Sequence, residues 1–483
     1  MKQVARGASA ALAVAAWLGI ACAGAAPSSP QQVTGAGDAA QLVLPEIRGA
    51  SSRPLRVLFL GISGLTPGDY LGEAGRPAPM PLLASMAAAG AAALAVGGVA
   101  PGSVYPASAS LITGRLPGAH GIVADRRIGS RGVRSARYSH ASQLRAATLW
   151  QRAAEAGLRV AALGWPTTEG AALPLLLPDA EPERQGEHWL DAVAEGTEAQ
   201  LLAALRGAAA DLPAAALDQP GAARDALLIE SACELLARPD GPALLLLHLS
   251  GVASETQRWG RHSQAAERAA AAADREVARL LACSARGVPL GATAVVVAGD
   301  RGLRPVHTQV SPNTALVSAG LLEPGARWSA LVRSNGSSAF VYASSERAAL
   351  RARSELQAAA RQSRAFRVVP AEELLPLGVD PDAWFGLRAE PGYLFSDAVG
   401  GGLLAAAERR AEGGALAEPD DTGWLAWGRG VRSGLRIPHM RVTDAGPTAA
   451  ALLGLELAPQ ADLDGRALIG LLDLPPATPA RAR

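Results

Sequence analysis

Arg56-Val57-Leu58-Phe59-Leu60-Gly61-Ile62-Ser63-Gly64-Leu65-Thr66-Pro67 is the stretch whose reading decides the fold. From Arg56 to Ile62 the side chains are almost all apolar and show no polar alternation, and Ser-Gly and Thr-Pro then break the run. That pattern suits a strand buried on both faces, as in a parallel sheet. The runs Arg159 to Leu163, Ala243 to Leu249 and Thr293 to Ala298 read the same way. Between them lie segments with helical spacing of apolar residues: Pro81 to Ala93, Leu149 to Gly157 and Ala265 to Leu281. Strands alternating with helices predict an α/β fold, a doubly wound and mostly parallel sheet with helices on both faces. In such sheets function gathers at the carboxyl ends of the strands.

Working outward, residues 308–398 break the alternation. A strand at Ala339 to Tyr342, a helix at Glu346 to Ala360 and a strand at Phe366 to Val369 predict a small α+β cap inserted into the main domain. The core is then expected at 54–307 and 399–472, with Gly423 to Trp427 returning to the main sheet. At the front, Lys2 and Arg6 precede an apolar stretch from Ala8 to Ala21 and a run of small residues, a secretory signal pattern over 1–26. Residues 27–53 read as a flexible linker and 473–483 as a disordered tail. The leader resembles a bacterial lipoprotein signal at Cys22, although Leu18 stands one place too far away; cleavage after Ala25 or Ala26 is the plainer alternative. The stretch is too short and too rich in alanine for a membrane span, so none is expected in the mature chain. The expected location is the bacterial periplasm or cell envelope, with a lipid anchor at Cys22 as one form of attachment.

The chain has 483 residues, 49% hydrophobic, and a net charge of +1. That length is ample for a large core, and the balanced charge argues against a nucleic-acid partner. Lys2 is the only lysine, a bias that weakens alanine runs as helix signals. Cys233 and Cys283 suit either a disulfide in an oxidising compartment or two buried thiols, and thiols are the expectation.

The strand ends carry a resemblance. Ile62-Ser63-Gly64-Leu65-Thr66-Pro67, Tyr105-Pro106, the run Leu111 to Val123 (LITGRLPGAHGIV), Gly164-Trp165-Pro166, Arg258-Trp259-Gly260, Ala298 to Leu303, Ala389 to Tyr393, Pro447 to Gly454 and Asp464-Gly465-Arg466 follow one another in family order. Together they resemble the type I phosphodiesterase/nucleotide pyrophosphatase branch of the alkaline phosphatase superfamily. The resemblance implies two metal ions, usually zinc, that polarise a phosphoryl group and activate a Thr or Ser nucleophile.

Matched position by position, this chain lacks most of that machinery. Ser63 stands where the first Asp ligand is expected, and Val104 where the nucleophile is. Ala107 replaces an Asn that would hold a phosphoryl oxygen. Ala253 and Gln257 replace an Asp-x-x-x-His pair, Asp300-Arg301 an Asp-His pair, and the late His falls near Glu412. Only Asp300 is retained, so no catalytic residue and no metal cofactor are expected. Ser103, one place from the nucleophile position, is the remaining hydroxyl candidate. The seven histidines, His120, His140, His188, His248, His262, His307 and His439, miss every ligand position and read as structural. Arg301, which cannot ligate a cation, is expected to fill the space of a lost metal and neutralise Asp300. The implied function is a catalytically inactive protein with a pocket for an anionic small molecule, or one that docks to an envelope protein. The alternative is a divergent hydrolase of phosphate or sulfate esters with a non-standard or single-metal site.

Overall fold

Arg56–Ile62 lies at the heart of an eight-stranded sheet. The strand order is Leu435–Ile437, Ala91–Ala93, Trp424–Gly428, Thr293–Ala298, Arg56–Ile62, Leu244–Leu249, Val160–Leu163, Leu175–Leu177. All run parallel except Trp424–Gly428, which opposes both its neighbours. This computed structural model describes residues 44–45, 52–128, 136–182, 184–323, 328–414, 416 and 422–474, all within one compact unit. The expected signal peptide, Cys22, most of the linker and nearly all of the tail lie outside the described residues.

Side-chain alternation along the central strand splits the core in two. Leu58, Leu60 and Ile62 pack with the helices Pro81–Ala89, Ala222–Ala237 and Gln264–Gly287. Val57 and Phe59 face the helices Val104–Thr113, Leu149–Glu155 and Ala445–Leu453. Helices therefore cover both faces, which is why the strand needs no polar side.

The expected helix from Pro81 to Ala93 is shorter than its spacing suggested. It ends at Ala89, and Ala91–Ala93 becomes a strand of the central sheet. Gly90 is the reason: a Cβ there would lie 2.2 Å from the Ala426 carbonyl oxygen, so only glycine lets the chain turn against its neighbour.

A second sheet, antiparallel throughout, runs in the order Phe366–Val369, Phe385–Ala389, Ser338–Ala343, Ala330–Asn335. The helix Glu346–Ser363 packs on it and closes a separate apolar cluster. The strand Arg304–Val310 leaves the end of the central sheet and pairs with Gly392–Phe395, Leu404–Ala406 and Ala411–Glu412.

The thiol expectation for Cys233 and Cys283 is overturned, because the two are joined in a disulfide. They sit on the paired helices Ala222–Ala237 and Gln264–Gly287, on faces turned toward each other. Burial had suggested inert thiols, but burial does not separate a thiol from half of a buried crosslink. The bond spans a sequence separation of 50 residues, and replacing both cysteines by serine is expected to cost about 2–4 kcal/mol in urea unfolding.

His120 is fully buried, with Ser110 Oγ 2.9 Å from its Nε2 and the Ile122 amide donating to Nδ1 at 3.1 Å. Burial, with a smaller contribution from the Arg115 charge, pushes its pKa down to about 3. The unfolded chain takes up the extra proton, so this stability is present above about pH 6.5 and is lost as pH falls toward the folded value. Between pH 7 and pH 5 the loss from this residue should be about 2 kcal/mol. The check is the urea midpoint against pH, whose acid slope should flatten in His120→Gln.

Candidate functional site

Parallel register brings the carboxyl ends of the central strands together. Gly61 pairs across to His248 on one side and to Ala298 on the other, so Ser63, His248 and Asp300 emerge side by side. Ser63 Oγ donates to Asp300 Oδ2 at 2.8 Å, and the Gly64 amide donates to Oδ1 at 3.2 Å. His248 Nε2 stands 3.6 Å from Oδ2, too long for a hydrogen bond. Burial alone would push the Asp300 carboxyl up. His248, the Arg301 guanidinium and the Ser63 hydroxyl together outweigh it and hold the group below the usual carboxylate range.

A second pair forms nearby. Gln257 Nε2 donates to Glu412 Oε1 at 3.0 Å, and Glu412 also accepts from the Gly413 amide at 3.0 Å and Arg409 at 2.5 Å. Ala253 sits in a small apolar cluster with Leu303 and Ala411. A Cβ on Gly64 would be 3.3 Å from the Ala253 methyl, so the two chains are in close contact there.

These groups border a cavity of about 870 Å³. Ser63, Ser103, Val104, Ala253, Gln257, Arg301 and Glu412 line it, and Asp300 lies just beneath, bonded to Ser63. Ala107 does not belong with them. It is fully buried in the core cluster under the sheet, because it falls on the inward side of the helix Val104–Thr113. Among the other candidates, His262 lies outside the cavity, half exposed, 3.9 Å from Glu73. Arg258 lines the cavity and stacks over Trp259.

Arg301 is buried and borders the cavity rather than solvent, but among the described residues it forms no ion pair with Asp300 or any other carboxylate. The expected neutralisation by contact is therefore corrected to a longer-range electrostatic effect.

Other groups lining the cavity satisfy one another. Tyr105 donates to Asp179 Oδ2 at 2.7 Å, and burial pushes the Asp179 carboxyl and the Tyr105 phenol up. Arg224 grips Glu181 with two hydrogen bonds, at 2.7 and 3.1 Å, and stacks on Trp189. Sequence reading missed this wall and missed His248. The one usable signal was a single polar residue inside the apolar run Leu244–Leu249.

Two zinc ions would need Asp oxygens and His nitrogens converging on each. Among the described residues no three His, Cys, Asp or Glu side chains gather closely enough to hold an ion. The would-be ligand positions are occupied by internally bonded Ser63–Asp300 and Gln257–Glu412 pairs with methyl groups beside them. Among the described residues, the side chains at these positions do not fit the implied metals.

A mostly parallel α/β sheet with its cavity at the carboxyl ends of the strands is the architecture of a doubly wound protein. The match with known proteins narrows it: residues 57–384 fit the family model for type I phosphodiesterase/nucleotide pyrophosphatase, and the chain belongs to that family. Among solved structures, murine ectonucleotide pyrophosphatase/phosphodiesterase 5 aligns with a TM-score of 0.60 at 16% identity, covering 86% of this chain and 100% of its own. An inactive variant of the murine protein in complex with AMP aligns at 17% identity and a TM-score of 0.60, covering 86% and 99%. The human protein gives 16% identity, 0.60, and the same 86% and 99% coverage. At these identities the likeness concerns the fold. No curated protein matches the sequence.

Gly413 and Gly414 hold the cavity rim together. Gly414 has φ +86°, and a Cβ there would sit 1.9 Å from the Asn335 carbonyl oxygen. Gly414→Ala is expected to destabilise the protein by about 2–4 kcal/mol, read as a lowered thermal midpoint.

Proposed function

We propose that this chain is an exported, catalytically inactive member of the phosphodiesterase family that uses its cavity to bind an anionic ligand. The observation that carries the reading is the mutual pairing of Ser63 with Asp300 and of Gln257 with Glu412. Side chains at four positions that the family resemblance assigns to metal ligands satisfy one another instead. Val104 offers no atom that could attack phosphorus. Ser103 stands at the N-cap position of the following helix without a side-chain capping bond, and among the described residues no base stands within hydrogen-bond reach of its hydroxyl.

Export to the periplasm or cell envelope is part of the proposal. The signal pattern supports it, and so does the disulfide, a bond that persists in oxidising compartments. Among the described residues no helix is long and apolar enough to cross a membrane. Cys22 as a lipid anchor belongs to the same reading, as does docking to an envelope protein as a second use of the large surface.

A divergent hydrolase with a single-metal site is the competing reading, and one observation favours it: His248 beside Asp300. Both are tested on protein purified from an envelope fraction without chelator, whose mass also reports removal of residues 1–26. The expected result is far less than one equivalent of zinc and no turnover of bis(p-nitrophenyl) phosphate above buffer. About two equivalents with turnover would overturn the proposal, since a paired-metal site binds two ions. One equivalent that disappears in His248→Ala, with turnover, would establish the competing reading.

A further inference from the structure

The helix Glu346–Ser363 lays one face on the second sheet and leaves the other in solvent. Ala348, Ala349, Ala352, Leu356 and Ala359 form its buried face. On the far side stand Arg347, Leu350, Arg351, Ser354, Ala358 and Arg361, recurring every three or four residues and all exposed. The two acidic residues of the helix, Glu346 and Glu355, fall to either side of that stripe rather than on it. Arg353 lies at its margin, and Arg364 follows at the C-cap.

Helix stability does not account for this stripe. Arg361, in the last turn, suits the helix dipole, but Arg347 stands second in the helix, where the exposed amides disfavour a cation. Arg347 also lies four residues from Arg351, a like-charge spacing that weakens a helix. Among the described residues, the side chains of Arg347, Arg353, Arg361 and Arg364 have no ion pair or hydrogen bond. Arg351 donates to the Ala319 carbonyl oxygen at 2.6 Å, which fixes its place without neutralising it. Leu350, between the first two arginines, is 61% exposed.

Shape and charge together limit the partner. From Arg347 to Arg361 the stripe runs about 21 Å, and its middle carries only the small residues Ser354 and Ala358. A small anion needs donors that converge on one point. These charges are strung along a line, so they match an extended anionic surface. Leu350 selects further, because it gains by entering hydrocarbon and gains nothing from a hydrated polyanion. Arginine suits such a boundary: its guanidinium reaches phosphate oxygens while its stem lies against apolar groups. The whole chain carries a charge of only +1, so the attraction is local to this helix.

We propose that the exposed face of Glu346–Ser363 is a peripheral docking surface for a bilayer of anionic phospholipids. Arg347, Arg351 and Arg361 engage the lipid phosphates, and Leu350 enters the boundary between headgroups and acyl chains. The contact is reversible, since three charges and one leucine fall short of a stable anchor. It goes beyond the cavity reading and uses none of the cavity residues.

Co-sedimentation with vesicles tests it on protein expressed from the full chain with Cys22→Ser, so that no acyl group contributes. Vesicles of equal parts phosphatidylcholine and phosphatidylglycerol should retain the protein in about 0.1 M salt. They should release it in about 1 M salt, where the screening length falls from about 10 Å to about 3 Å. Pure phosphatidylcholine should not retain it. Arg347→Gln should weaken partition about fivefold, and Arg347→Gln, Arg351→Gln and Arg361→Gln together about a hundredfold. Leu350→Ser should weaken it at least severalfold. Arg206→Gln with Arg268→Gln, exposed on other helices, should leave it unchanged. If the triple variant does not fold, Arg347→Gln and Leu350→Ser carry the test. No retention by anionic vesicles, equal retention by neutral ones, or equal loss in the control pair overturns the surface. Retention on heparin beads but not on anionic vesicles overturns it in favour of a polyanion. None of these variants alters the cavity, so the zinc and turnover measurements stand apart and the two proposals fail separately.

Discussion

The parallel register of Arg56–Ile62 between Leu244–Leu249 and Thr293–Ala298 sets the position of every group in the cavity floor. A strand buried on both faces cannot slip by one residue without exchanging its two core faces. Gly61 makes the fit tighter still, since a Cβ there would lie 2.8 Å from the His248 ring and 3.2 Å from Trp165. With the register fixed, the three strands deliver Ser63, His248 and Asp300 to one place whatever chemistry those residues possess. The framework is therefore indifferent to which side chains stand at the strand ends.

Much of this was legible in the chain. The unbroken apolar runs gave the buried strands because parallel strands need two apolar faces. The ordered strand-end motifs gave the family and located Ser63, Val104, Gln257, Asp300, Arg301 and Glu412 around one cavity. Local pattern failed where tertiary contact decides. Ala91–Ala93 reads as the end of a helix, yet Gly90 turns it into the sheet. Ala107 sits one face away from where a motif match would put it. Cys233 and Cys283 carry no sign of their pairing, which depends on how two long helices turn toward each other. Asn335 belongs to a different sheet, and nothing in its neighbours announces that its amide borders the cavity.

The polar groups that line the cavity are not all treated alike. On the Tyr105–Asp179 and Arg224–Glu181 side, each buried charge or hydroxyl has a partner, and that side is structurally complete. On the Arg301 side, Arg301 Nε and Asn335 Nδ2 remain without acceptors at a junction that only glycine permits. Buried donors are costly when left alone, so the asymmetry points to where the protein meets something else.

The Cys233–Cys283 bond also closes a covalent ring. That ring contains the strand Leu244–Leu249, which carries His248, and the helix that carries Ala253 and Gln257. In the denatured chain these segments cannot drift far from the two helices that later cover them. The path from the central strand to its other neighbour, Thr293–Ala298, is shortened, because it can run through the bond instead of around the ring, and shorter loops close at lower entropic cost. Once crosslinked, the chain thus carries part of its cavity floor as a tethered module before the sheet is assembled around it.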